Sequence, residues 1–198
     1  MKVFGRLMMK LIGWELVGAV PPHIKKCVIL AAPHTSNWDF VIGRFAYWAL
    51  GVPVKFLIKQ EAFNHPLGCI VKKMGGIPVD RKKNTNMVEY VASLFSEYEV
   101  LNVIITPEGT RKLVTEWKRG YYYIAQRAEI PIVLGFADYK NKQGGFGPVI
   151  YPSGNYEKDF VMIEEFYKTK TARHPEKYNL SQLYQQHDPA NSDRTEKK

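Results

Sequence analysis

His34 stands in the stretch AAPHTSNWDF, residues 31–40, five positions ahead of Asp39. An imidazole with one nitrogen held by a carboxylate keeps the other unprotonated and available as a base. The same stretch also reads as a helix start, because Thr35, Ser36 and Asn37 carry side chains suited to capping. Spacing alone leaves both readings open. A serine triad through Ser36 is disfavoured, since two residues from the histidine it has no clear route to the ring, and the chain contains no GxSxG elbow. His23, His34 and His65 lack ligand-like spacing, so neither a metal centre nor a cofactor is expected.

Two more stretches bring charge to places where a chain turns. TPEGTR, residues 106–111, follows the apolar run VIIT. Gly109 permits a tight turn there, and Arg111 offers a forked donor that suits phosphate. Glu108 could hold that arginine or bond a hydroxyl. GGIPVDR, residues 75–81, ends in Arg81 beside Asp80. Taken singly, each of these also reads as a surface turn with an ion pair.

Elements of two periods alternate around these stretches. CVILAA (27–32), PVKFLI (53–58), GGIPV (75–79), VLNVIIT (100–106) and IPIVLGFA (130–137) are apolar runs of strand length. Residues 37–50, 86–98, 121–128 and 155–168 show helical patterning. The expected fold is α/β, a single domain whose mixed, mostly parallel central sheet is flanked by helices. In such sheets ligands bind beyond the strand ends, so His34 and the 106–111 turn are expected at one rim.

The first residues form a separate feature. Val3, Phe4, Leu7, Met8, Leu11 and Ile12 share one helical face, with Lys2, Arg6 and Lys10 on another. That pattern fits a helix packed on its own domain, and also one lying in a membrane interface, since the polar face is wholly basic and Trp14 follows. Residues 1–20 are thus expected to be an amphipathic lead-in, 21–184 the functional domain and 185–198 a disordered polar tail.

Composition narrows the classes of partner. The 198 residues carry a formal charge of +9, which favours anionic partners. No uncharged run approaches the ~20 residues needed to span a bilayer, and no signal peptide is evident. A cytoplasmic protein, peripheral on the inner face of the membrane, is the expectation. A nucleic-acid module has only charge and aromatics in its favour, so nucleic acid is not an expected partner. Cys27 and Cys69 each lie in an apolar run without a CxxC neighbour and read as reduced core residues.

In order along the chain these stretches resemble the four sequence blocks of the glycerolipid acyltransferases, which include the lysophosphatidic acid acyltransferases. Pro33-His34-Thr35-Ser36-Asn37-Trp38-Asp39 matches the HxxxxD block, and Gly75 to Arg81 the GxxxxxR block. Pro107-Glu108-Gly109-Thr110-Arg111 matches the PEGTR block, and Pro131-Ile132-Val133 the last. Pro33 replaces the asparagine of many members, and Lys112 a common serine. The resemblance covers about residues 25 to 137. It implies a glycerol-3-phosphate acyltransferase-like fold, with His34 as general base and Asp39 as its orienter. It implies acceptor binding by Arg81, Glu108, Gly109, Thr110 and Arg111, with the arginines on phosphate. The implied donor is acyl-CoA or an acyl carrier protein, and the implied acceptor a lysolipid such as 1-acylglycerol-3-phosphate. A lysolipid of another kind, or a noncatalytic protein binding anionic lipid on the same fold, is the alternative.

Overall fold

The computed structural model describes residues 1–64, 68–80 and 86–180. Arg81 and the expected tail, 185–198, lie outside them. The strands are β1 (Glu15–Val17), β2 (Lys26–Ala31), β3 (Lys55–Lys59), β4 (Gly76–Val79), β5 (Leu101–Ile105), β6 (Ile132–Asp138) and β7 (Gln143–Ile150). The α-helices are α1 (Lys2–Leu11), α2 (Asn37–Leu50), α3 (Gly68–Lys73), α4 (Met87–Glu97), α5 (Gly120–Arg127) and α6 (Tyr156–Lys168). The strands form one sheet in the order β1-β7-β6-β2-β5-β3-β4. β2 to β6 run parallel, and only β7, paired antiparallel to β6, and β1, parallel to β7, run the other way.

Helices cover both faces, which explains why the central strands read as unbroken apolar runs. On β2 the side chains alternate. Val28 and Leu30 join Val91, Leu94, Tyr121 and Phe160 beneath α4, α5 and α6. Cys27 and Ile29 point the other way, with Tyr47 of α2. All four of these β2 side chains are fully buried.

α1 forms an outer layer on α2. Its contact runs through Gly5 and Met9, the buried residues of the helix. A Cβ on Gly5 would lie 2.6 Å from the Ala49 backbone nitrogen and 2.7 Å from the Phe45 carbonyl oxygen, so the two backbones nearly touch there. The apolar stripe expected to make this contact mostly faces outward: Val3, Phe4, Leu7, Leu11 and Ile12 are all exposed. The reading as a helix packed on its own domain thus holds for the Gly5 and Met9 face, while most of the apolar stripe lies on the surface. The expectation for the cysteines needs one correction. Cys27 is buried and donates to Asn102 Oδ1 at 3.1 Å, but Cys69 is exposed on α3; neither forms a disulfide.

Candidate active site

Three adjacent parallel strands, β6, β2 and β5, deliver their C-terminal ends to one rim of the sheet. His34 lies just beyond β2, Glu108 to Arg111 just beyond β5, and Tyr139 directly after β6. Register places Leu30 beside Ile105 and Ala31 beside Gly135, so β2 and β5 end nearly level while β6 runs on to Asp138.

The turn after β2 shows that Asp39 serves as both cap partner and histidine partner. Ser36 is the N-cap of α2, with its side chain accepting from the Trp38 N–H, and Asp39 returns the bond to complete a capping box. Asp39 Oδ2 accepts the backbone N–H groups of Thr35 at 2.7 Å and Ser36 at 2.8 Å. The same oxygen lies 3.5 Å from His34 Nδ1. That is longer than a formed hydrogen bond but within ion-pair range. Burial alone would raise the Asp39 pKa, but the adjacent His34 ring and the hydrogen bonds from Tyr139, Ser36 and Thr35 outweigh it and hold the carboxyl below its usual value. Asp39 therefore stays ionised, with Nδ1 turned toward it. Nε2 is the nitrogen left for a substrate hydroxyl.

Glu108 does not occupy the position expected of an acceptor contact. Its side chain is buried behind His34, and Oε1 accepts the His34 backbone N–H at 2.9 Å. It lines neither of the two cavities that meet at His34. Burial pushes its pKa up to about 7, against the opposing pull of hydrogen bonds from its own N–H and that of His34. Since the folded-state pKa is raised, folding favours the neutral form. The associated stability is full below about pH 4.5 and is lost as pH rises through about 7. Glu108→Gln stays neutral and can still accept the His34 N–H. It should exceed the parent in stability by about 3 kcal/mol near pH 8.5 and match it near pH 4. Thermal melts of both proteins at the two pH values check this. A less stable variant at the higher pH would show that partners, not burial, dominate at Glu108.

Past Glu108 the PEGTR turn faces outward. Gly109 has φ +65°, a left-handed conformation that suits glycine, and a Cβ there would meet only the movable end of Lys118, at 2.9 Å. The Thr110 hydroxyl accepts the Lys112 N–H at 3.3 Å. Arg111 is exposed and lines an open cleft of about 950 Å³ together with His34, Thr35, Ser36, Asn37, Lys112 and Lys177. On the other side of His34 lies a narrower, mainly apolar cavity of about 160 Å³. Phe40, Gly43, Tyr47, Phe56, Ile104 and Phe136 are among its walls. His34 and Thr106 are common to both spaces.

A sequence model of the acyltransferase family matches residues 17–133, more than half of the chain and the whole of this rim except the β6 end. The chain belongs to the acyltransferase family. Among solved structures, the acyltransferase is similar to the 1-acyl-sn-glycerophosphate (LPA) acyltransferase PlsC of Thermotoga maritima. The TM-score is 0.59 at 14% identity, covering 87% of this chain and 80% of that one. At that identity the likeness concerns the fold. None of the curated protein sequences matches the acyltransferase.

Several residues at this acyltransferase's rim carry no sequence signal of their own. Tyr139 O–H donates to Asp39 Oδ1 at 2.7 Å across a separation of 100 residues. After α6 the chain returns over the site: Thr171 accepts the Tyr139 N–H at 2.9 Å, and the His174 N–H reaches Thr35 Oγ1 at 3.2 Å. This return segment places Arg173 over the rings of Trp38 and Tyr139, at 5.3 and 5.9 Å, and brings Lys177 to the polar cleft. Only proximity in the fold reveals them. No group of three or more side chains that could hold a metal ion occurs among the described residues.

Proposed function

We propose that this acyltransferase moves a fatty acyl group from the thioester of acyl-CoA or an acyl carrier protein to a hydroxyl of a lysolipid or glycerol phosphate-type acceptor. The acceptor favoured is 1-acylglycerol-3-phosphate, with phosphatidate as product. The observation that carries this reading is the position of His34, between an apolar cavity suited to an acyl chain and a cationic cleft suited to phosphate. The named activity of the structurally similar Thermotoga maritima enzyme supports the same acceptor class.

The chemistry follows from what a base at that boundary can do. Nε2 removes the acceptor hydroxyl proton as its oxygen attacks the thioester carbonyl carbon. The carbon–sulfur bond then breaks, an ester remains, and the departing sulfur takes the proton back from the imidazolium. Asp39, ionised throughout, holds the ring and stabilises its charged form. Because the thioester is already activated, direct attack suffices and no acyl-enzyme is required.

Location follows the same logic. The exposed apolar stripe of α1, beside Lys2, Arg6 and Lys10, fits peripheral docking on an anionic membrane, on its cytoplasmic face. No described helix is long and apolar enough to cross a membrane.

The reading is tested by giving the purified protein labelled acyl-CoA and acyl-carrier donors against a panel of lysolipids. Arg111→Lys keeps the charge but loses the planar fork, so KM for a phosphate-bearing acceptor should rise about tenfold or more while the donor KM stays put. Steady-state kinetics with the acceptor varied at saturating donor measure it. An unchanged acceptor dependence would remove Arg111 from the phosphate site.

A further inference from the structure

We propose that Tyr139 is a positioning residue for the His34–Asp39 pair, acting through Asp39; this rests on reading His34 as the base. The two oxygens of Asp39 have separate partners. Oδ2 takes the N–H groups of Thr35 and Ser36 and faces His34 Nδ1, whereas Oδ1 takes the Tyr139 hydroxyl. Rotation of a carboxylate about its last torsion is soft, with broad wells rather than staggered ones. Donors on one oxygen alone leave that rotation loosely determined. A donor on the second oxygen, arriving from a different strand, fixes the plane of the group and so the direction Oδ2 presents to the ring.

Tyr139 is itself held. Trp14 packs edge-on against its ring at 5.0 Å, and Arg173 lies over it. Burial first, then the Asp39 carboxylate, push its phenol pKa well above the ordinary value, so the hydroxyl remains a donor at working pH. Phe136 lies on β6 and Tyr139 directly follows that strand, so one stretch of chain lines the apolar cavity and then orients the base.

The hydroxyl matters most when the imidazole becomes charged, since a misdirected carboxylate then stabilises it poorly. Tyr139→Phe keeps the ring and its packing while removing only the donor. With the full chain, kcat should fall about tenfold to a hundredfold, the scale of one hydrogen bond to a charged group. KM values for donor and acceptor should stay within about twofold. Repeating the change in an Asp39→Asn background should add no further loss, because the partner through which Tyr139 acts has already been altered. An unchanged kcat in the parent background, or equal losses in both backgrounds, overturns the proposal.

Nitrogen-15 spectra of the His34 ring give a readout that needs no substrate. The parent should show the Nδ1–H tautomer, and Tyr139→Phe a mixture of tautomers. An identical tautomer in both proteins also overturns the proposal. Should no acyl acceptor be turned over, the acyl-transfer reading fails by itself, and the spectra still decide the role of Tyr139.

Discussion

His34→Ala should lower kcat for acyl transfer by about a hundredfold to ten-thousandfold, the usual scale for a positioned general base. A hydroxyl at neutral pH is a poor nucleophile, and among the described residues the two cavities share, besides His34, only Thr106, whose neutral hydroxyl is far too weak a base to take the proton. Acceptor KM should change little, because the phosphate contact assigned to Arg111 is untouched. The fold should survive, since the buried tie of this residue is its backbone N–H to Glu108, which alanine retains. Asp39→Asn should also be severely impaired, as an amide favours the wrong imidazole tautomer. Single-turnover assays with a labelled donor, run beside thermal melts, measure both. Near-parental turnover by folded His34→Ala would sink the mechanism. Lipid binding without turnover in the parent would favour the noncatalytic alternative.

A triple change of Val3, Leu7 and Leu11 to serine should reduce partitioning onto vesicles by about a hundredfold or more while leaving the melting temperature nearly unchanged. These side chains are 82%, 51% and 69% exposed, so they contribute little to the enzyme's own packing. Gly5 and Met9, which make the α2 contact, stay in place. Burying one aliphatic side chain of this size is worth about 1.5–3 kcal/mol in full. Partial insertion of three yields on the order of 3 kcal/mol, which is about a hundredfold in affinity. The residual binding should come from Lys2, Arg6 and Lys10, prefer anionic vesicles and weaken with salt. Removing residues 1–13 outright is a poorer test, because it also uncovers α2. Co-sedimentation with anionic and neutral vesicles checks the triple variant, and parental binding would end the docking idea.

The central strands were legible because burial on both faces leaves a near-continuous apolar run, as in CVILAA and IPIVLGFA. β7 was not, since QGGFGPVI interrupts any pattern with three glycines and a proline, and β1 has only three residues. In α1 the apolar positions were legible but their direction was not. The packed face is built on Gly5, whose lack of a side chain brings the helices together and which no hydrophobic pattern marks. At the site, His34 and Asp39 were legible because they lie in one turn. Tyr139 was not, because its partner is 100 residues distant and a tyrosine after a strand is unremarkable by itself. Glu108 was legible as a motif residue, yet only the fold shows it bonding the backbone of the base instead of facing solvent.

The double duty of Asp39 has an evolutionary consequence. Its carboxylate closes the capping box of α2, a device whose loss costs about 1 kcal/mol of stability. The His34 ring carries no comparable folding duty, as the tie to Glu108 belongs to its backbone. In a lineage released from catalysis, purifying selection on the ring lapses while selection for a stable helix start persists. Relatives that have become pseudoenzymes should therefore show the histidine replaced and the aspartate five positions later retained, and the opposite pattern should be rare.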